Sequence, residues 1–159
     1  MEVENGIRVR GFFRLHIVDP DGTIVGDSGL RENTITNLGK QHYLAELLGA
    51  ISGSSQVTHA ALGTGTAPNA THTSLDGEIV DGTTRDAVSK SQNGSTSVVF
   101  YGTFASADSF VTQTRNISNI GLFATSAITA GSIFAGATYN SSSCATNQAV
   151  NYTYTITFT

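Results

Sequence analysis

The residues of this chain whose types could do chemistry crowd into one stretch. His59 and His72 stand near Asp76, Glu78 and Asp81, and imidazoles with carboxylates are the ligands of zinc and similar metals. Their spacing argues against a metal, because no two of them have helical i, i+4 placement and the segment between them is turn-rich. Gly63-Thr64-Gly65 could open a phosphate cradle, yet position 68, where a dinucleotide fingerprint needs glycine, is Pro68, and no lysine follows as in a P-loop. Asp19, Asp21 and Asp27 lack the spacing and the terminal glutamate of a calcium loop. Cys144 is the only cysteine, which excludes an intrachain disulfide and argues against a thiolate metal site. A converged Ser-His-Asp set would leave no local mark, and no nucleophile elbow occurs. The expectation is therefore no catalytic residue, no cofactor and no metal. The remaining enzymatic route is a small sandwich acting on or binding envelope polysaccharide through Glu78 or Asp81. A structural role is also expected here: Glu78 and Arg85 pair and fix the long loop that begins at Gly63.

The elements that must position these residues are mostly strands. In Val150-Asn-Tyr-Thr-Tyr-Thr-Ile-Thr-Phe-Thr159, apolar and short polar residues alternate strictly, the pattern of a half-buried strand. From Ile7 to Val18, Ile7, Val9, Phe13, Leu15 and Ile17 share one phase and Arg8, Arg10, Arg14 and His16 the other, with Gly11 expected to mark a bulge or bend. Asp19-Pro-Asp-Gly22 and Asn93-Gly94 carry hairpin chemistry. Val57 to Leu62, Ser95 to Phe104, Ile117 to Phe123 and Ser132 to Tyr139 read as further strands, with Gly121 expected to let layers approach or to permit a bulge. Asn140 to Asn147 reads as a polar loop. One passage is helical: near residues 37–50, Thr36 or Asn37 caps a helix whose Leu44, Leu47, Leu48 and Ile51 form a core-facing stripe. The fold expected is mainly β, an antiparallel, jelly-roll-like β-sandwich with one short amphipathic helix. Residues 1–6 are expected to form a flexible or partner-bound arm, and residues 7–159 a single domain.

Composition limits the partners. Charged residues make up 13% of the 159 residues, about half the usual ~25%, and none occurs after Arg115. Such depletion marks the centres of protein contacts rather than freely solvated surface. The net charge of −4 and scattered arginines give no footprint for nucleic acid. No apolar run reaches the ~18 residues of a membrane span, and the opening residues lack a secretory pattern, so synthesis in a cytoplasm is expected. The hydroxyl face of Thr153, Thr155 and Thr157 is the candidate subunit interface.

Three signatures occur in order: Asn33-Thr-Ile-Thr-Asn-Leu-Gly39; Ala61-Leu-Gly-Thr-Gly-Thr-Ala-Pro68 followed by Leu75, Glu78 and Arg85; and Ile117-Ser-Asn-Ile-Gly-Leu-Phe123. The series resembles small structural proteins of tailed bacteriophages, with Asn119 standing where that family would carry an acidic residue. The resemblance implies a non-enzymatic β-sandwich of the virion, homo-oligomeric and often trimeric, assembled in the host bacterial cytoplasm. Its partners would be its own copies and the major capsid protein or other virion proteins. A capsid decoration (cement) protein is the leading expectation, and a tail, neck or fibre component, contacting a host receptor, the alternative.

Overall fold

The computed structural model describes residues 8–41, 56–66, 68–82, 85–131 and 133–159. Eleven strands run in chain order among them: β1 (Val9–Val18), β2 (Ile24–Asp27), β3 (Arg31–Glu32), β4 (Thr34–Ile35), β5 (His59–Gly63), β6 (Asp86–Ala87), β7 (Ser89–Asn93), β8 (Ser97–Phe104), β9 (Arg115–Phe123), β10 (Ile133–Cys144) and β11 (Ala149–Phe158). They form two antiparallel sheets. Sheet A has the order β2-β1-β11-β8-β7, with β3 also pairing β1, and sheet B the order β4-β10-β9-β5-β6. Packed face to face, the two make a β-sandwich.

The closing strand organises sheet A. Between β1 on one side and β8 on the other, β11 keeps an unbroken register from Val9↔Phe158 to Val18↔Ala149 and from Val150↔Phe104 to Thr157↔Ser97. Its alternation is spent as the period of a strand requires: Val150, Tyr152, Tyr154 and Ile156 are buried in the core beside Phe13, Leu15 and Ile17 of β1, while Asn151 and Thr153 point outward. Burying such side chains contributes roughly 1.5–3 kcal/mol each. The core tyrosines need partners for their hydroxyls. Tyr154 meets the Asn33 amide from the corner between β3 and β4, and Tyr152 donates to Asp86 at 2.7 Å, reaching from sheet A to the edge of sheet B.

Gly11 corrects an expectation. Register with β11 passes through it without a shift, so it makes no bulge; a methyl there would collide with the Asn33 side chain, and glycine is the space that lets Asn33 reach Tyr154. Gly121 serves the close approach expected of it, since a methyl would press on Ile133, Phe123 and Leu75. Both hairpin turns are present. Gly22 has φ +89° and donates to Asp19 O at 2.9 Å, and Gly94 has φ +69°. The second hairpin differs in detail, because Asn93 still pairs with Ser97 and the loop is the three residues between them.

A larger correction concerns β10. The expected loop at Asn140 is strand as far as Cys144, re-registered on β9 from Thr138↔Asn119 to Ser142↔Ile117, a wide bulge that takes up two extra residues. The helical passage begins as expected, with Thr36 as its cap: its hydroxyl accepts from Gly39 N at 2.9 Å and Lys40 N donates to Thr36 O. Residues 37–41 are helical. The remainder of that passage, its leucine stripe and the arm of residues 1–6 lie outside the described residues.

Candidate functional site: a bare sheet face and a clasped loop

The two sheets differ in what covers them. The outer face of sheet B is overlaid by the chain from Gly63 to Ile79, whose Leu75 joins Ala61, Phe123 and Ile133 in a small second core. β9 is consequently buried on both faces from Ile120 to Phe123. Nothing comparable lies among the described residues over the outer face of sheet A.

The second and third sequence signatures go into that cover, and the first touches it where Asn37 N donates to Ala70 O at 2.7 Å. From β9, Ser118 Oγ donates to Gly65 O at 2.8 Å, and the wholly buried Asn119 donates through Nδ2 to Thr66 O at 3.1 Å and Asp76 O at 2.9 Å. Asp76 in turn accepts from Thr66 N and Thr66 Oγ1, which holds its carboxyl below the usual carboxylate range. Gly63 and Gly65 lie where a methyl would strike Asn119 and Asp76. The glycine pair is thus a close-packing device, with no cradle for a phosphate.

Glu78 and Arg85 form the expected ion pair. It is bidentate, Nε to Oε1 at 2.6 Å and Nη2 to Oε2 at 3.0 Å, with the two side chains 4% and 2% exposed. The guanidinium lies 3.4 Å above the Phe123 ring and donates to Thr125 O, while Thr129 N donates to Glu78. This closes the loop onto β9 and the segment after it. Asp81 is taken up by Arg115, at 2.7 and 3.1 Å, and by Thr112 N, the Arg115 bond being the main reason its carboxyl lies below its usual range. Neither acid is placed to act on a polysaccharide.

The histidines do not converge with these acids. His72 Nδ1 faces Asn69 N, His59 Nδ1 lies 2.8 Å from Thr58 Oγ1, and among the described residues no set of three His, Cys, Asp or Glu side chains could hold a metal ion. Cys144 is wholly buried, and burial pushes its thiol up to about 11, an inert setting for sulfur.

The face built by Thr153, Thr155 and Thr157 lies on the outer side of sheet A, which no other described residues cover. Opposed residues share a face, so register sets its rows. Arg14, Thr153, Tyr101 and Ser89 form one row; Glu32, Phe12, Thr155, Val99 and Ser91 the next; Arg10, Thr157, Ser97 and Asn93 a third. Two of its arginines are paired in place, Arg10 on Glu32 at 3.0 Å and Arg14 on Asp27 at 2.6 Å. Bonding to Arg14 drives the Asp27 carboxyl far below its usual range. The half contributed by β11 and β8 carries no charge at all. Thr153 is exposed and Thr155 half-buried, but the Thr157 hydroxyl is already bonded to Ser97 at 3.0 Å.

One assembly of groups was not legible beforehand. At the open edge between the sheets a cleft of about 450 Å³ is lined by His59, Asp86, Phe104, Asp108, Phe110 and Ser126. Gly102 makes room for it, since a methyl there would strike both the Tyr152 hydroxyl and the Asp86 carboxylate. Among the described residues no hydrogen bond joins His59 to Asp86 or to Ser126, so the cleft does not hold an aligned nucleophile and base.

No protein-family model matches the chain, and no curated protein and no solved structure matches it. Among the described residues no helix is long and apolar enough to cross a membrane.

Proposed function

We propose that the chain is a non-enzymatic structural protein of a tailed-phage virion, a capsid decoration protein that docks on the major capsid protein and on its own copies, as a homotrimer, through the outer face of sheet A. The observation that carries this reading is the asymmetry of covering. Among the described residues a broad sheet face is left bare, with Arg10 and Arg14 paired in plane and its β11–β8 half made of hydroxyl, amide, Val99 and Tyr101 side chains. Such a face loses little on desolvation and gains from shape-matched contact, and many modest contacts add through multivalency on a shell. The use of the second and third signature motifs in clasping a loop, rather than in aligning reactive groups, supports the same reading.

A reconstruction of the parent particle tests it, with the solution mass of the isolated protein and its binding to undecorated shells. Density for the sandwich on the shell, sheet A facing protein, is the expected result. Its presence at the tail, neck or fibre alone would overturn decoration in favour of the other structural role, and a monomer that binds no virion protein would overturn both.

A further inference from the structure

Asp86 lacks the counter-ion that four other carboxylates of this molecule have. Glu32, Asp27, Glu78 and Asp81 each face an arginine. Asp86, partly buried at the cleft edge, has instead the neutral Tyr152 hydroxyl at 2.7 Å, and the acid nearby, Asp108, shares its sign. Its chain neighbour Arg85 turns away, its guanidinium committed to Glu78 and to the face of Phe123. Arg85 also lines the cleft, but its side chain is only 2% exposed and its charge is spent on Glu78, so Asp86 and Asp108 are left there without a cationic partner among the described residues. A carboxylate half out of water with no counter-ion costs free energy that an incoming cation would return.

We infer that this cleft receives the lysine or arginine side chain of a protein partner, the charged head between Asp86 and Asp108 and its methylene stem along Phe104 and Phe110. The cleft has room for it, since 450 Å³ lies within the range of small-ligand sites. The wall chemistry fits as well, because long cationic side chains lay an apolar stem on apolar surface and hold the charge at a polar rim. A metal ion is disfavoured by the want of three ligands among the described residues. The ionisation behaviour agrees: burial, reinforced by the charge of Asp108, raises the Asp86 carboxyl above its usual range, while the Tyr152 bond pulls it down. Burial, with Arg85 nearby, lowers His59, so it adds no standing positive charge at neutral pH, though Asp86 pulls it the other way.

The identity of the occupant as a protein side chain rests on the structural role proposed above; the anionic character of the cleft does not. The test uses the full chain and small probes, followed by amide shifts in ¹H–¹⁵N spectra: N-acetyl-lysine methylamide and N-acetyl-arginine methylamide, with the citrulline analogue as the neutral control. Saturable shifts confined to the amides around positions 58–60, 85–88 and 104–110 are expected for the two cations and not for citrulline. Asp108→Asn, at an exposed position, and Asp86→Asn, which still accepts from Tyr152, should each weaken them about tenfold or more. No saturable shift at 100 mM probe, equal binding of citrulline, binding indifferent to both variants, or a response to Ca²⁺ or N-acetylglucosamine but not to the amines would each overturn the inference. Particle reconstruction is independent of this titration, so failure of the decoration reading and failure of the cleft assignment are separately visible.

Discussion

Asn119 gives its amide to two carbonyls of the clasped loop, and a carboxylate in its place would present an oxygen to both. The acidic residue that the phage-protein resemblance leads one to expect is therefore incompatible with this contact. Asn119→Asp should destabilise the fold by at least about 1–3 kcal/mol, more if the charge persists, in denaturant unfolding. Asp81 gives a pH signature. Its folded pKa lies below the ordinary 3.8, so its contribution is complete above the unfolded value and is lost as pH falls through the lower folded one. Stability of the wild type should accordingly drop as pH falls below the ordinary carboxylate value, and Asp81→Asn should flatten that drop. Single residues of this sort were half legible in the chain. The Glu78 and Arg85 pairing could be expected from opposite charges flanking one loop, whereas the Asp86 and Tyr152 pairing could not, because Tyr152 reads as one more apolar position of an alternating strand.

Among the elements, alternation and turn chemistry located β1, β11 and the two hairpins, since each is encoded within a dozen residues. The far half of β10 escaped because Asn140 to Ser143 has the composition of a loop, and only pairing with β9 across a wide bulge makes it strand. Gly11 was misjudged for a related reason: a glycine in a strand is the same letter whether the chain bulges or a distant asparagine needs its space. The cleft escaped altogether, being a product of β5, β6, β8 and the turn holding Asp108. Two variants probe how the elements are joined. Gly39→Ala at the start of the helix would drive a methyl into the Phe134 carbonyl of β10 and should cost about 1–3 kcal/mol, as overpacking does, in thermal or denaturant unfolding. Removing one member of the buried pair, by Glu78→Gln or Arg85→Met, should cost roughly 3–5 kcal/mol. The double variant should lose distinctly less than the sum, which a double-mutant cycle reads directly.

At the scale of the whole molecule, the proposed docking rests on the outer face of sheet A, which no other described residues cover. Thr153→Arg and Thr155→Arg place unpaired charge on it without touching the core. Unfolding midpoints should stay within about 0.5 kcal/mol of wild type, as for other surface changes. Binding to undecorated shells should fall by about tenfold or more, because a charge buried unpaired at a contact centre is costly. Unchanged shell binding would take this face out of the interface.

The register of β11 also dictates when the molecule can come into being. Residues 149–158 sit between two strands made earlier, one of them completed at Phe104, so during translation the halves of that sheet must wait, apolar sides open, until residues 149–158 clear the ribosome. Stopped-flow refolding should therefore be slow, in the millisecond-to-second regime of long-range β pairing, and nascent chains stalled before residue 149 should be protease-sensitive where released ones are not.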